Sequence, residues 1–228
     1  YNVANLHAGA VELFVKKGAH LRYSTIENWS KNMYNLNTKR ARVEEGGTIE
    51  WISGSFGSHV GCLYPESDLV GKGARAEFTG VTFAGSGQDL DTGAKMVHLA
   101  PDTSSVITTK SISKGGGKST YRSAVYIAKN AEHSKASVSC QSLMLDSESR
   151  SDTIPANVVL NDTSDVGHEA KIGRISNDAV FYLMSRGISE EEARSMIVSG
   201  FANPVSKELP LEYAVEMNNL INLELEGA

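Results

Sequence analysis

Two patterns of hydrophobic and polar positions divide the sequence near residue 175. Before that point, short β-type runs alternate with polar corners rich in glycine, serine, asparagine and aspartate, as expected of strands joined by turns. The clearest runs are residues 77–83, 95–99, 106–112, 123–127, 136–140 and 157–160. No helical period of useful length lies between them, so this part of the chain is predicted to be all β.

The beginning of the chain follows the same pattern. Val11, Leu13 and Val15 have the spacing of a strand, with polar or charged residues between them. Residues Met33–Val43 suggest a pair of strands. The Glu-Gly-Gly sequence at residues 45–47 is typical of a tight turn.

Three strand-and-corner units resemble one another. They begin at Val97, Val125 and Val158, and a polar corner follows each of them, so the steps are 28 and 33 residues. A recurring unit of this kind predicts a β-solenoid, in which each coil covers the apolar face of the previous one. A β-sandwich has similar strand spacing and remains an alternative on pattern alone.

After residue 175 the hydrophobic period becomes helical. Ser176 is a suitable cap for a first helix that ends at Gly187. Ser189 is the predicted cap of a second helix, where Glu192 completes a capping box and Gly200 marks the end. We therefore predict a helical segment after the strands.

A third helix is expected after Pro210, and the whole segment is acidic. Residues 176–228 carry nine acidic and three basic side chains, a net charge of −6, whereas the remainder is close to neutral at +1. We therefore divide the chain into a β-helix core at residues 1–175 and a helical segment at residues 176–228. Such helices either cover the open end of a solenoid or dock a partner protein.

Composition narrows the function classes. The 228-residue chain is 40% hydrophobic, enough for a sizeable core, and its net charge of −5 gives no reason to expect a nucleic acid partner. No apolar run approaches the roughly 20 residues that cross a bilayer. The only two cysteines, Cys62 and Cys140, are far apart in sequence, which argues against a disulfide framework and favours a reducing, cytoplasmic location.

Cys140 is the first candidate for chemistry. It has strand spacing with Ala136 and Val138, and a cysteine on an apolar strand face is most often a small buried core residue. The functional alternative is a thiolate that accepts sulfur or binds a soft metal.

A second candidate is the pair His168-Glu169. The residue four positions after His168 is Ile172, so the HExxH zinc motif is absent, and adjacent residues on a strand face opposite sides. Both side chains are able to bind iron, and both are equally typical of a polar surface. Asp89 and Asp91 are two carboxylates on one strand face, a weak indication of acid–base chemistry.

From about Arg22 to its end, the chain resembles the SufB/SufD family of the SUF iron–sulfur cluster assembly system. Long and unusual stretches carry this resemblance: RYSTIENW (22–29), MYNLNTKRA (33–41), DTGAKMVH (91–98), TYRSAVYIAKNA (120–131), RSDTIP (150–155), VGHEAKIGRIS (166–176), FYLMSRGISEEEA (181–193) and ELPLEYAVEM (208–217).

The resemblance implies a mainly β fold, a right-handed parallel β-helix followed by a C-terminal α-helical segment. Family members are scaffolds rather than enzymes. SufB pairs with SufD, each binds the ATPase SufC through the helical region, and the complex builds nascent iron–sulfur clusters that pass to carrier proteins. Sulfur arrives as persulfide from a cysteine desulfurase and its relay protein.

The resemblance also implies the site residues. The cysteine matching Cys140 is the candidate cluster ligand and sulfur acceptor at the SufB–SufD interface, Glu169 is a further candidate ligand, and His168 lies beside it. Gln141 departs from the aspartate often found after that cysteine. Cys62 matches no family cysteine, and the chain begins within the family's β-helix.

Two other functions remain open at this stage. The chain could be the SufD paralogue with a mainly structural role, although SufD lacks the cysteine that Cys140 matches. It could also be a β-helix enzyme acting on polysaccharides, for which Asp89 and Asp91 are the only candidate acids.

Overall fold

The computed structural model describes residues 3–226, in which thirteen β-strands precede three α-helices. The strands are β1 (Asn5–Val15), β2 (His20–Trp29), β3 (Met33–Val43), β4 (Thr48–Gly57), β5 (Val60–Leu63), β6 (Glu66–Leu69), β7 (Arg75–Ala84), β8 (Asp89–His98), β9 (Ser104–Ser113), β10 (Lys118–Ile127), β11 (Lys135–Met144), β12 (Arg150–Val159) and β13 (Asp165–Arg174). The helices are α1 (Asn177–Met184), α2 (Glu190–Ser206) and α3 (Leu211–Glu226).

The strands form two parallel sheets. The first sheet has the order β1-β3-β5-β8-β10-β12, with β6 beside β3 and β8, and the second has the order β13-β11-β9-β7-β4-β2. The chain passes from one sheet to the other and back in about six coils. This parallel solenoid with helices at its C-terminal end confirms the predicted fold and excludes the sandwich, whose strands are antiparallel.

The register corrects the repeat read from the sequence by one residue. Val97 pairs with Tyr126, not with Val125, and Tyr126 pairs in turn with Val158. A shift of one residue exchanges the two faces of a strand. Accordingly, Val125 is buried inside the solenoid, whereas Tyr126 lies on the outer face of the first sheet.

Several strands begin earlier than the apolar runs indicated. Strands β8, β10 and β12 start with polar residues, because their first halves carry charged side chains outside and mostly hydroxyl groups inside, with Leu90 of β8 as an apolar exception. For example, Asp89 binds Lys118 at 3.1 Å on the outer face. The predicted strand pair at Met33–Val43 is wrong, since these residues form the single strand β3 with alternating burial.

The helices pack on the outer face of the second sheet. Apolar residues at the ends of its strands form one buried cluster with α2 and α3: Ile52, Phe56, Val81, Phe83, Ile112, Val198, Ala202, Val205, Leu209, Met217, Leu220 and Ile221. Burial of Ala202 and Val205 explains why α2 continues past Gly200 and through Pro204, where the sequence predicted its end. Tertiary packing here overrides two helix-breaking residues.

The predicted starts of the helices are confirmed. Ser176 caps α1 and accepts a hydrogen bond from the Ala179 amide, and Ser189 with Glu192 forms the capping box of α2. None of the helices within residues 3–226 is long and apolar enough to span a bilayer. The division into two domains stays a prediction, and its outer limits at residues 1 and 228 lie outside the described residues.

The interior of the solenoid has an apolar part and a polar part. The apolar core includes Trp51, Phe78 and Met96. It is formed by the first halves of the strands in the second sheet, which pack against the second halves of the strands in the first sheet. The opposite side of the interior is lined by hydroxyl groups, among them Ser111, which donates to Ser142 at 2.8 Å. This hydroxyl-lined side extends to Ser142 on β11, the second-sheet strand next to the last coil.

The last coil, β12 and β13, has no coil stacked on it within the described residues. Its large apolar side chains are between 39% and 49% exposed: Ile154, Val158, Val159, Leu160 and Ile172. The helices cover the flank of the second sheet instead, so, of the two alternatives left open by the sequence, covering the open end is not seen at this coil. An uncovered apolar coil of this kind is typical of an interaction surface.

Candidate functional site

Cys140 lies on the inner face of β11, one coil before the open end. The residue is only 2% exposed and belongs to the main apolar core. In the sheet it pairs with Thr109 on one side and Ala170 on the other. The structural reading of this cysteine as a buried core residue is therefore correct as far as its packing is concerned.

The surroundings of Cys140 favour its neutral thiol over the thiolate. Burial raises its pKa, and the nearby Thr153 hydroxyl has a smaller, opposing effect. The Cys140 Sγ and Thr153 Oγ1 atoms are 4.0 Å apart, so this contact joins β11 to β12 across the interior. A thiol in such surroundings is a poor nucleophile until a new charge or hydrogen bond stabilises its thiolate.

His168 and Glu169 point to opposite sides of β13. His168 pairs with Val138, so it shares the inner face with Cys140, and its buried Nε2 has no hydrogen-bond partner. Glu169 pairs with Ser139, its side chain is 60% exposed, and it binds Lys171 at 2.8 Å. The fold thus brings Cys140 and His168 to one face and leaves Glu169 on the other.

The described part of the chain does not form a complete metal site. Within residues 3–226, no three His, Cys, Asp or Glu side chains come close enough to hold a metal ion together. The assignment of Cys140, Glu169 and His168 as ligands therefore stays a prediction.

Two further polar groups near Cys140 were not identified from the sequence. Tyr121 and Ser123 lie on the inner face of β10 and are only 3% and 1% exposed. Thr109 and Ser123 neighbour the Tyr121 hydroxyl, and Cys140 is near enough to influence its pKa. The only sequence signal was the polar alternation of TYRS at residues 120–123.

A second polar group lies inside the first coils, far from Cys140 along the solenoid. Lys39 binds Glu27 at 2.9 Å, and both side chains are largely buried. The amides of Asn35 and Asn37 donate to the same carboxylate at 2.6 and 3.0 Å. A cavity of about 590 Å³ opens beside these residues. The polar residues at alternate positions 35, 37 and 39 were an available signal for it.

The remaining candidates have ordinary partners. Cys62 lies half-buried on the outer face of the first sheet, where burial first and then the nearby carboxylates raise its pKa. Asp89 binds Lys118, and Asp91 binds Arg122 through two nitrogen atoms at 2.8 to 3.0 Å. These aspartates are therefore ion-paired, not free for acid–base work.

Comparison with known protein families shows which family this chain belongs to. The family model described as "SUF system FeS cluster assembly, SufBD core domain" matches residues 2–201, most of the chain. The match covers the solenoid, Cys140, His168, Glu169 and the first helix. The chain therefore belongs to the SufBD family of iron–sulfur cluster assembly proteins.

Individual relatives agree with this assignment. The chain is 54% identical over 228 residues to the iron–sulfur cluster assembly protein SufB of Bacillus subtilis (strain 168), covering 100% of this chain and 49% of that protein. It is 53% identical over the same length to SufBD family proteins of Staphylococcus epidermidis and of Staphylococcus aureus (strain USA300), again covering 49% of each. The chain thus spans about half the length of the curated relatives it matches.

Proposed function

We propose that this chain is the scaffold part of a SUF assembly protein, in which the last coils receive sulfur and hold a nascent iron–sulfur cluster. The observation that supports this proposal best is the single buried thiol of Cys140 directly beneath an uncovered apolar coil. A core cysteine alone would carry no function, but a soft ligand beside an open interaction surface is what an assembly site at a subunit interface requires.

The sulfur step is a persulfide exchange at Cys140. The Cys140 thiolate attacks the outer sulfur of a persulfide carried by a cysteine desulfurase or its relay protein. A new S–S bond forms at Cys140, the donor's S–S bond breaks, and the donor leaves as a thiol that takes up the proton. Sulfur is transferred without net oxidation, so no further reductant is needed for this step.

The cluster itself is cargo, built and then passed to carrier proteins. Cys140 would supply a thiolate, Glu169 a carboxylate and His168 an imidazole, all of which bind iron. Because Cys140 and Glu169 face opposite sides of the sheet, joint binding requires a local shift of β13 against β11. The missing ligands would come from SufD, or from a second copy, docked on the last coil.

The helical segment is the proposed docking surface for the ATPase SufC. Its acidic helices expose large apolar side chains that the solenoid does not cover: Phe181, Tyr182, Met184, Met196, Leu211, Tyr213, Val215 and Leu223. Phe181 and Leu211 are the most exposed of these, at 72% and 76%. Exposed aromatic and aliphatic residues at such density are the usual anchors of a protein interface.

Titration of SufC tests the proposal. Removing the helices would uncover the apolar flank of the second sheet, so point changes are the better variants. Phe181→Ser combined with Leu211→Ser should weaken SufC binding by about tenfold or more, because truncated hot-spot residues typically cost 2 kcal/mol or more. Phe14→Ser, at a 62% exposed position on the first coil, is the matched control. Absence of SufC binding by the unmodified chain would contradict the docking role.

A polysaccharide-active enzyme is the alternative function. It needs free carboxylates in a groove, and its only candidates, Asp89 and Asp91, are each paired with a basic side chain. We therefore propose a scaffold and not an enzyme, acting in the cytoplasm.

A further inference from the structure

Cys140 lies one side chain beneath the last coil, on which no further coil is stacked within residues 3–226. Cys140 is only 2% exposed, yet its sulfur is 4.0 Å from the hydroxyl oxygen of Thr153, a residue that is itself partly exposed. In the second sheet, the partner of Cys140 on the last coil is Ala170, which is exposed. A single layer of side chains therefore separates the thiol from solvent on this side.

The thiol is covered more deeply on its other sides. On the side of the preceding coils, Cys140 pairs with Thr109, which pairs in turn with Gly80, so further coils lie beneath it. In the interior it belongs to the apolar core together with Val138, which is 2% exposed. The hydrogen-bonded backbone of β11 and its two neighbours closes the outer side. The shortest path from solvent to the thiol therefore leads through the last coil, between β12 and β13.

Ala170 provides the thinnest part of this cover. On the inner face of β13 it is flanked by two larger side chains, His168 and Ile172, which pair with Val138 and Ser142. Neighbouring strands of a sheet are about 4.8 Å apart, so each inner side chain of β13 lies over the residue with which it pairs. The two flanking positions are covered by an imidazole ring and a butyl group, whereas the thiol is covered by one methyl group.

We propose that Ala170 determines access to Cys140, so that thiol reagents and sulfur donors reach the sulfur from the last coil, past this small side chain and Thr153. This inference rests on the proposed role of Cys140 as sulfur acceptor and adds the residue that controls the approach to it. A small displacement of β13 is enough to uncover the thiol, because only a methyl group must move. A larger side chain at position 170 would make more contacts over the thiol and would have to leave them first.

The test compares the rates at which Cys140 reacts with two reagents of different size, iodoacetamide and the larger N-ethylmaleimide. The 228-residue chain carrying Cys62→Ser is the parent, so that Cys140 is its only thiol. Intact-protein mass spectrometry at one fixed pH gives the rate for each reagent. Urea unfolding gives the free energy of unfolding of each variant.

Ala170→Leu should slow the reaction with iodoacetamide by about tenfold, the factor expected when part of a leucine side chain must leave its apolar contacts. The reaction with N-ethylmaleimide should slow by a larger factor. The free energy of unfolding should be unchanged or higher, and a destabilised variant would react faster instead, because its last coil would open more often. Ala156→Leu is the matched control: it adds the same side chain at an exposed position on the outer face of β12 and should change neither rate.

Unchanged rates for Ala170→Leu would overturn the inference, and so would an equal slowing with both reagents, which indicates an altered thiol and not an obstructed path. An equally large effect of Ala156→Leu, or a folded parent in which neither reagent modifies Cys140, would also overturn it.

Incubation of the same parent with inorganic polysulfide tests the proposed function separately, since the Cys140 thiolate takes one sulfur and the shortened polysulfide leaves. A parent that reacts with iodoacetamide but gains no sulfur would refute the acceptor role of Cys140 and leave the access role of Ala170 standing.

Discussion

Cys140 and Glu169 lie on neighbouring strands of one sheet and face opposite sides of it. The thiol is 2% exposed and the carboxylate side chain 60% exposed. The two groups that the family resemblance assigns to one site thus occupy different environments in this chain. An isolated chain should accordingly show little thiol chemistry, and this expectation can be tested directly.

We expect Cys140 to react with a thiol alkylating reagent much more slowly than Cys62. Cys62 is half-buried at the outer face, whereas modification of Cys140 requires local opening of the last coils. An opening free energy of only about 1.4 kcal/mol would already slow the reaction tenfold. Peptide mass spectrometry after timed labelling gives both rates. Equal rates in the native protein, with no difference from the denatured protein, would contradict the buried placement.

Glu169→Gln should change function without changing stability. Glu169 is exposed and its partner Lys171 is 66% exposed, so loss of this ion pair should alter the free energy of unfolding by no more than about 0.5 kcal/mol. In the complete SufB–SufC–SufD complex, the same substitution should reduce the iron bound after reconstitution. Glu132→Gln, another exposed carboxylate, is the control. A large fall in the urea midpoint of Glu169→Gln would show a structural role instead.

The Lys39–Glu27 pair should be costly to break. Lys39→Met leaves the Glu27 carboxylate buried without its counter-charge, which should reduce the free energy of unfolding by about 3 kcal/mol. Adding Glu27→Gln should recover part of this loss, because no unpaired charge remains. Urea unfolding measures both effects.

The surface pair Lys16–Glu44 provides the comparison. Its side chains are 70% and 37% exposed, so Lys16→Met should cost less than about 1 kcal/mol. Similar losses for Lys39→Met and Lys16→Met would argue against a buried, structurally important pair.

His98 should make stability depend on pH. Burial lowers its pKa from 6.5 to about 4, and its ring nitrogens are 2.8 and 2.9 Å from the hydroxyl oxygens of Thr103 and Ser105. The unfolded chain therefore binds a proton more readily than the folded one between these values. Neutral His98 therefore contributes about 3 kcal/mol to the free energy of unfolding above pH 6.5, relative to the protein with a protonated His98. This contribution is lost as the pH falls from 6.5 towards 4.

The difference between two pH profiles isolates this effect. His98→Gln should be less stable at neutral pH but should lose less stability on acidification than the parent chain. His133→Asn is a suitable control, because His133 is an exposed residue with a left-handed backbone that asparagine tolerates. Parallel profiles for His98→Gln and the parent would contradict the assignment.

The sequence predicted most strands and the helix caps because both have local signals, whereas the choice of a solenoid over a sandwich came from the family resemblance. Apolar alternation marks the strands, and Ser189 with Glu192 forms a capping box that three-residue spacing already indicates. The polar first halves of β10 and β12 had no such signal, because their inner faces carry hydroxyl groups in place of aliphatic residues, and in β8 Leu90 alone gave too short an apolar pattern. The continuation of α2 through Pro204 depends on packing against the second sheet, which no local pattern contains.

The candidate site was predictable in part only. Cys140, His168 and Glu169 came from a family resemblance, while strand alternation correctly indicated that His168 and Glu169 face opposite sides. Tyr121 could not be found by spacing, since its relation to Cys140 crosses the interior between two sheets. Contacts of this kind depend on how the strands of successive coils are aligned. The repeat predicted from the sequence was wrong by one residue at β10, where Tyr126 and not Val125 pairs with Val97.

Anaerobic cluster reconstitution in the complete complex tests the central claim most directly. The account predicts that Cys140→Ser abolishes the iron–sulfur absorbance that the parent complex acquires, whereas Cys62→Ser retains it. Both variants should still assemble with SufC and SufD, which size-exclusion chromatography would verify. A Cys140→Ser complex that assembles and acquires as much cluster as the parent would contradict the claim that this buried thiol is the centre of the site.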